Sequence, residues 1–247
     1  MHKKLKKLLI RYLRAKKLGF SFIRTKNFQL PSKIRINGKY KEICLPSFPG
    51  IEELFRDIIL DDEYFLESFR GKSIETIADV GANVGIFGIA ASVYFPNATI
   101  HAYEPNSGNT AYLSKQSREL DFLLFEEAVS SHDGNCELLT SSTHDTSASI
   151  SLNSGQIQCS SLRTVVNRFK SKSVDLLKLD CEGSEFEILK DKETLESCSY
   201  ITMEYHLSEK NDLKTLNKLL SEANFSIIFS EQRNKALGNI LAEQKGK

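Results

Sequence analysis

Three runs in this 247-residue chain combine residue types that can do chemistry. The first is Ile77-Ala78-Asp79-Val80-Gly81-Ala82-Asn83-Val84-Gly85, followed by Ala102-Tyr103-Glu104-Pro105. Glycines 81 and 85 allow a tight turn and close approach of backbone to a ligand. A helix over 84–95 would begin there and aim its free N–H groups at that ligand. Glu104 stands 23 residues after Gly81, close to the spacing at which an acid accepts hydrogen bonds from a ribose. The second run is Leu177-Lys178-Leu179-Asp180-Cys181-Glu182-Gly183-Ser184-Glu185, an apolar strand ending in two acids. Such a pair is costly at the end of a buried strand without a partner, which makes Asp180 and Glu182 candidates for the reacting centre. The third, Met203-Glu204-Tyr205-His206, ends another strand with an acid and a histidine. Glu182 or His206 could take a proton from a hydroxyl.

The cofactor follows from what the first run lacks. The spacing is G-x-x-x-G, with Asn83 where a dinucleotide fingerprint has its second glycine. Asp79, two residues before the first glycine, would repel a pyrophosphate. It suits a cofactor that carries an amino group and a sulfonium and no phosphate, which is S-adenosylmethionine. A divalent metal on Asp180, Glu182 and Glu204 is a minor alternative without motif spacing, so no metal is expected. Cys181 reads as a small packing residue rather than a nucleophile. Ser184 with Glu187 reads as a capping box, and Glu185 as a solvated first turn. His144, in a serine-rich loop over 141–155, is a weaker candidate for substrate contact.

The elements that would position these residues alternate. Strands are expected at about 75–80, 98–103, 123–130, 174–179 and 200–205. Helices fall between them at 84–95, 106–119, 161–170, 184–190 and 209–223. A hairpin over 225–229 and 238–242 closes the series. Strands separated by helices require an α/β fold, a doubly wound and mostly parallel sheet with helices on both faces. Residues 51–69 read as a further helix, and Asn37-Gly38 marks a hairpin.

Charge divides the chain. Residues 1–41 hold 14 Lys and Arg and no acid, leaving 19 bases against 32 acids in the rest. Leu5, Leu8, Leu9, Tyr12 and Leu13 recur at helical spacing in that basic arm, with bases opposite. The arm, 1–48, is expected to precede a domain at 49–247. Its residues 2–17 are a candidate for peripheral contact with an anionic membrane, or for simple docking on the body. Nucleic acid is not expected, because the body is acidic. Five scattered cysteines and no long apolar run point to a reducing, cytoplasmic setting.

Taken in order, Asp79-Val80-Gly81-Ala82-Asn83-Val84-Gly85, Tyr103-Glu104-Pro105-Asn106 and Leu177-Lys178-Leu179-Asp180-Cys181-Glu182-Gly183-Ser184-Glu185 resemble the signature of FkbM-family methyltransferases. Tyr64, Ala128-Val129 and Glu204 also fit, and the resemblance spans about residues 50–245. It implies a Rossmann-like seven-stranded sheet of order 3-2-1-4-5-7-6, with strand 7 antiparallel. It implies methylation of a hydroxyl on a sugar, glycan or secondary metabolite. By resemblance, Gly81, Asn83 and Gly85 meet the methionine part of S-adenosylmethionine with Asp79 nearby. Glu104 meets the ribose and Ala128 the adenine edge, while Asp180 and Glu182 stand beside the transferred methyl. Cys181 and the pair Leu162-Arg163 depart from the family pattern, which commonly has an aliphatic residue and a Leu-Asp pair there.

Overall fold

A computed structural model describes residues 2–22, 28–139, 149–152 and 155–246. The chain opens with helix α1 (His2–Leu18), then the hairpin β1 (Lys33–Ile36) and β2 (Lys39–Glu42). Asn37 and Gly38 both have positive φ, 47° and 79°, as a two-residue hairpin turn requires. Residues 51–69 are broken rather than one helix. Helix α2 (Ile51–Phe55) passes into a π-helical turn (Arg56–Leu60), and a 3₁₀ turn (Leu66–Phe69) follows. The break lies at Asp62, whose φ is 60° and whose carboxylate accepts the N–H groups of Leu66 (2.7 Å) and Glu67 (3.0 Å).

The alternating region begins with β3 (Thr76–Val80), α3 (Ile86–Tyr94), β4 (Thr99–Tyr103), α4 (Ser107–Leu120) and β5 (Leu123–Phe125). An insertion follows, with β6 (Ala128–Ser130), β7 (Gly134–Leu139), β8 (Ser149–Leu152) and β9 (Ile157–Ser161). The series resumes with α5 (Leu162–Asn167), β10 (Val174–Leu179), α6 (Glu185–Ile188), α7 (Lys192–Leu195), β11 (Cys198–His206), α8 (Leu213–Glu222), β12 (Phe225–Gln232) and β13 (Leu237–Gln244).

The main sheet has the order β5-β4-β3-β10-β11-β13-β12. Pairing is parallel from β5 to β11, and β13 is antiparallel to both neighbours. This is the expected 3-2-1-4-5-7-6 arrangement. One expected strand, 123–130, is divided. After β5 the Phe125 carbonyl accepts the N–H groups of Glu104 (3.1 Å) and Glu127 (2.9 Å), and the chain turns. β6 then pairs with β9 in a second sheet of order β6-β9-β7-β8.

Successive strand residues point to opposite faces, so each sheet face has its own apolar cluster. Ile77 and Leu176 join α3 and the N-terminal segments on one face. Ala78, Val80, Leu177 and Leu179 join α5, α6 and α8 on the other. Ala15 and Leu18 of α1 and Ile34 and Ile36 of the hairpin belong to the first cluster, so the N-terminal segments share the sheet's core.

Candidate functional site

Parallel strands β3, β10 and β11 are neighbours, so residues at their carboxyl ends converge on one edge, where α/β folds bind ligands. The turn after β3 departs from the expected use. The N–H groups of Gly81 and Ala82 donate to the Tyr103 carbonyl (3.0 and 2.9 Å). That of Asn83 donates to Glu104 Oε2 (2.8 Å), and that of Val84 to Asn83 Oδ1 (2.8 Å). Gly85 N–H donates to the Ala82 carbonyl (2.9 Å). All five amides are consumed within the protein, so the turn offers no array of donors to a pyrophosphate. The helix itself starts two residues later than expected, at Ile86. Gly81 has φ 76°, and a Cβ there would lie 1.8 Å from the Asp180 carbonyl oxygen. That glycine is required where the ends of β3 and β10 press together.

Glu104 is 6 % exposed and accepts from the amides of Asn83 (2.8 Å) and Asn106 (2.9 Å) and from Asn109 Nδ2 (3.4 Å). Burial raises its pKa against those bonds. The carboxylate therefore ties the first turn to the end of β4. Two oxygens have about four acceptor sites, so capacity remains for a hydroxyl. Ala128 is buried at the start of β6. His144 lies outside the described residues.

Asp79 is fully buried, and its Oδ1 lies 3.0 Å from Lys178 Nζ. Lys178 is itself 2 % exposed; its ammonium donates to the carbonyls of Val80 (3.2 Å) and Gly81 (2.6 Å) and lies 3.8 Å from Asp180 Oδ2. Burial alone would lower the lysine, but Asp79 and Asp180 reverse this and hold it raised. Sequence reasoning passed over Lys178, although a lysine between two leucines of a buried strand must find a partner. Tyr64 donates to the same Asp180 Oδ2 (2.7 Å) from a position where burial, then Asp180, hold its hydroxyl protonated.

The loop after β10 is organised by Glu185, not by a capping box. Ser184 makes no side-chain cap bond, since its backbone is already helical (φ −75°, ψ −11°). Glu185 is fully buried, and its two oxygens accept the N–H groups of Cys181 and Gly183 (2.8 Å each). Glu182 takes φ 54°, a costly conformation for a side chain with a Cβ. Such strain persists where the surroundings enforce it. Burial, then Glu185 and Asp180, push the Cys181 thiol well up, against a thiolate role.

His206, at the end of β11, meets three carboxylates. Nε2 lies 3.2 Å from Glu182 and 3.6 Å from Glu204, and Nδ1 lies 3.3 Å from Glu185. Burial would lower its pKa; Glu185, then Glu182 and Asp180, raise it to about 9. The imidazole is thus a cation at neutral pH and has no lone pair for a proton. Burial and then Asp180 push Glu204 up to about 7, against the His206 cation, which lowers it. Its other oxygen is held by Arg233 (2.9 Å), which also pairs with Glu63. Asp180, Glu182 and His206 each place a ligand atom within 4.8 Å of the others, a spacing that would hold a metal ion only with the imidazole neutral.

Residues 79–227 match the model of the methyltransferase FkbM domain. The chain belongs to the FkbM methyltransferase family. S-adenosylmethionine is its cofactor. No curated protein matches the chain. Among solved structures, the chain is similar to the magnesium protoporphyrin IX methyltransferase of Synechocystis, solved with S-adenosylhomocysteine (8% identity, 82% of this chain and 90% of that one, TM-score 0.48). It is also similar to the fibrillarin pre-rRNA processing protein of Methanococcus jannaschii (13%, 71% and 69%, 0.47). A third is the precorrin-6y C5,15-methyltransferase of Geobacter metallireducens (12%, 75% and 88%, 0.46).

The residues of this FkbM methyltransferase fit a cationic, phosphate-free cofactor. The turn withholds its amides from anions, and Asp180, Glu182 and Glu204 gather carboxylates at the same strand ends. That arrangement is electrostatically compatible with a positive sulfur.

Proposed function

We propose that the chain transfers a methyl group to a hydroxyl of a sugar, glycan or secondary metabolite. The observation that carries this reading is the convergence of Asp180, Glu182 and Glu204 on His206 at the carboxyl ends of β10 and β11, with Glu182 at 3.2 Å and Glu204 at 3.6 Å from Nε2. S-adenosylmethionine supplies an electrophilic methyl group when bound. The protein must then hold a hydroxyl in line with it and remove one proton.

In this proposal Gly81, Asn83 and Gly85 border the cofactor, with Asp79 behind them and held by Lys178 (3.0 Å). Glu104 receives the ribose, and Ala128 borders the adenine. Asp180 and Glu182 flank the transferred methyl, where their charge favours a positive centre. His206 acts as a fixed cation that orients Glu182 (3.2 Å), rather than as the base. Glu204 takes the acceptor's proton. The acceptor is a small molecule or glycan in the cytoplasm, and nucleic acid is not a partner. Among the described residues no helix is long and apolar enough to cross a membrane. Residues 1–48 serve placement and 49–247 carry the chemistry.

The test is turnover of donor labelled on its methyl group with a panel of hydroxylated and amino acceptors, followed by mass-spectrometric location of the label. An O-methyl product is expected. Glu204→Gln is expected to lower kcat by about 10²–10⁴-fold while leaving S-adenosylhomocysteine binding intact. A labelled amine would replace the proposal with N-methylation. No turnover on any acceptor, with cofactor binding retained, would make the chain a binding module.

A further inference from the structure

The amphipathic helix α1 is mounted in the reverse of the usual sense. A surface helix ordinarily turns its apolar stripe to the core. Here the docked side is cationic. Arg11 donates Nε and Nη2 to the two oxygens of Asp61 (2.6 and 2.5 Å). Arg14 donates to the Leu60 carbonyl (2.8 Å) and pairs with Glu67. Lys7 adds a second contact to Asp61 (2.9 Å). Among the described residues, Ala15 and Leu18 are the apolar side chains of the helix that are buried beneath it.

The outward side is correspondingly apolar. Leu5 is 67 % exposed, Leu9 56 %, Leu13 53 %, Tyr12 47 % and Leu8 38 %. At about 100° per residue these five form one stripe over about two and a half turns, and exposed Lys16 continues its line one turn further on. Exposed lysines border it, with Lys4 along one edge and Lys6 and Lys17 along the other, and no acid occurs in the helix. Five large apolar side chains in one exposed patch mark an interaction surface rather than scattered exposure. The Arg11 and Arg14 ion pairs fix the helix so that this stripe cannot roll inward.

We propose that this face of α1 docks on the surface of an anionic lipid bilayer. Charge selects the occupant. An apolar stripe edged by lysines matches the level where acyl chains meet anionic headgroups. A groove between α1 and Arg233, lined by Lys6, Ile10 and Arg14 among others, runs to the residue that holds Glu204. The proposal does not depend on which acceptor is methylated.

The test is co-sedimentation of the full chain with vesicles of phosphatidylglycerol and phosphatidylcholine in equal parts, and with phosphatidylcholine alone. Wild type is expected to sediment with the anionic vesicles, and less so at high salt. Leu9→Glu/Leu13→Glu is expected to lower the bound fraction about tenfold or more, since both side chains leave the apolar layer. Lys6→Glu/Lys17→Glu is expected to abolish the preference for anionic vesicles. Circular dichroism and S-adenosylhomocysteine binding should be unchanged in both variants, because the four positions are exposed and outside the site. Wild type that stays in solution, or the leucine variant sedimenting as wild type does, would overturn the proposal. So would light scattering that shows a dimer dissociated by the leucine variant, because a second copy would then cover the face.

Discussion

Lys178→Met is expected to destabilise the fold by about 3–5 kcal/mol, the cost of breaking a buried ion pair from one side. The methionine has similar length and fills most of the same space, so cavity formation adds little. What it removes is the charge that compensates Asp79, which is fully buried, and part of what compensates Asp180. It also removes the donor to the carbonyls of Val80 and Gly81, at the base of the cofactor turn. Urea unfolding at neutral pH measures the loss as a lower midpoint at unchanged slope. Adding Asp79→Asn to the variant is expected to recover part of the loss, because the orphaned carboxylate is then gone. A loss below about 1 kcal/mol, in the range of an exposed ion pair, would mean that Lys178 does not hold this end of the sheet together.

The second large effect is in pH. His206 is raised from its ordinary value of 6.5 to about 9 in the folded chain. The folded state therefore binds this proton more tightly than the unfolded state does. The stabilisation is fully present below pH 6.5 and is lost as pH rises through about 9. A shift of this size corresponds to about 3 kcal/mol. Glu204, raised from 4.5 to about 7, has the same sign, with its window between those two values. Wild-type Tm should thus fall from neutral to mildly alkaline pH, while below pH 6.5 His101, lowered to about 4 by burial, acts in the opposite sense. In His206→Gln the part of the fall that belongs to His206, between pH 6.5 and about 9, should be absent, leaving only the Glu204 part. The Glu204 portion should move upward, because the imidazolium now lowers that carboxyl. Thermal melts across this range check both. A His206→Gln profile parallel to wild type would mean that the histidine is not held as a cation.

Much of the sheet was legible in the sequence. Buried β-forming runs, glycine turns and helical periods specify the order of elements, and parallel crossovers then restrict the topology. The strand-end acids Asp180, Glu182 and Glu104 were legible for the same reason. What could not be read depends on partners distant in the chain. Lys178 meets Asp79 only because β10 pairs with β3 in the register that sets the two side by side. Tyr64 reaches Asp180 across 116 positions. Glu185 looked like an ordinary first-turn acid, yet the loop before it bends back and gives it two amides. The face by which α1 docks is decided by Asp61 and Glu67, some 50 residues away, which outweigh the apolar stripe visible in the helix itself. The expected strand 123–130 divides because the Phe125 carbonyl also accepts from Glu127, two residues on, which turns the chain out of the sheet.

The central claim is that the Gly81–Gly85 turn and Glu104 form the cofactor site. Calorimetric titration with S-adenosylhomocysteine, beside NAD, on wild type and Glu104→Gln tests it most directly. The account predicts that wild type binds the homocysteine compound and not NAD. It predicts binding at least about tenfold weaker in the variant, since loss of a charged acceptor is worth roughly 1.5–3 kcal/mol. A thermal melt run alongside separates lost binding from lost fold, because Glu104 also holds two backbone amides. Equal affinity in a folded variant, or binding of NAD by wild type, would contradict the account.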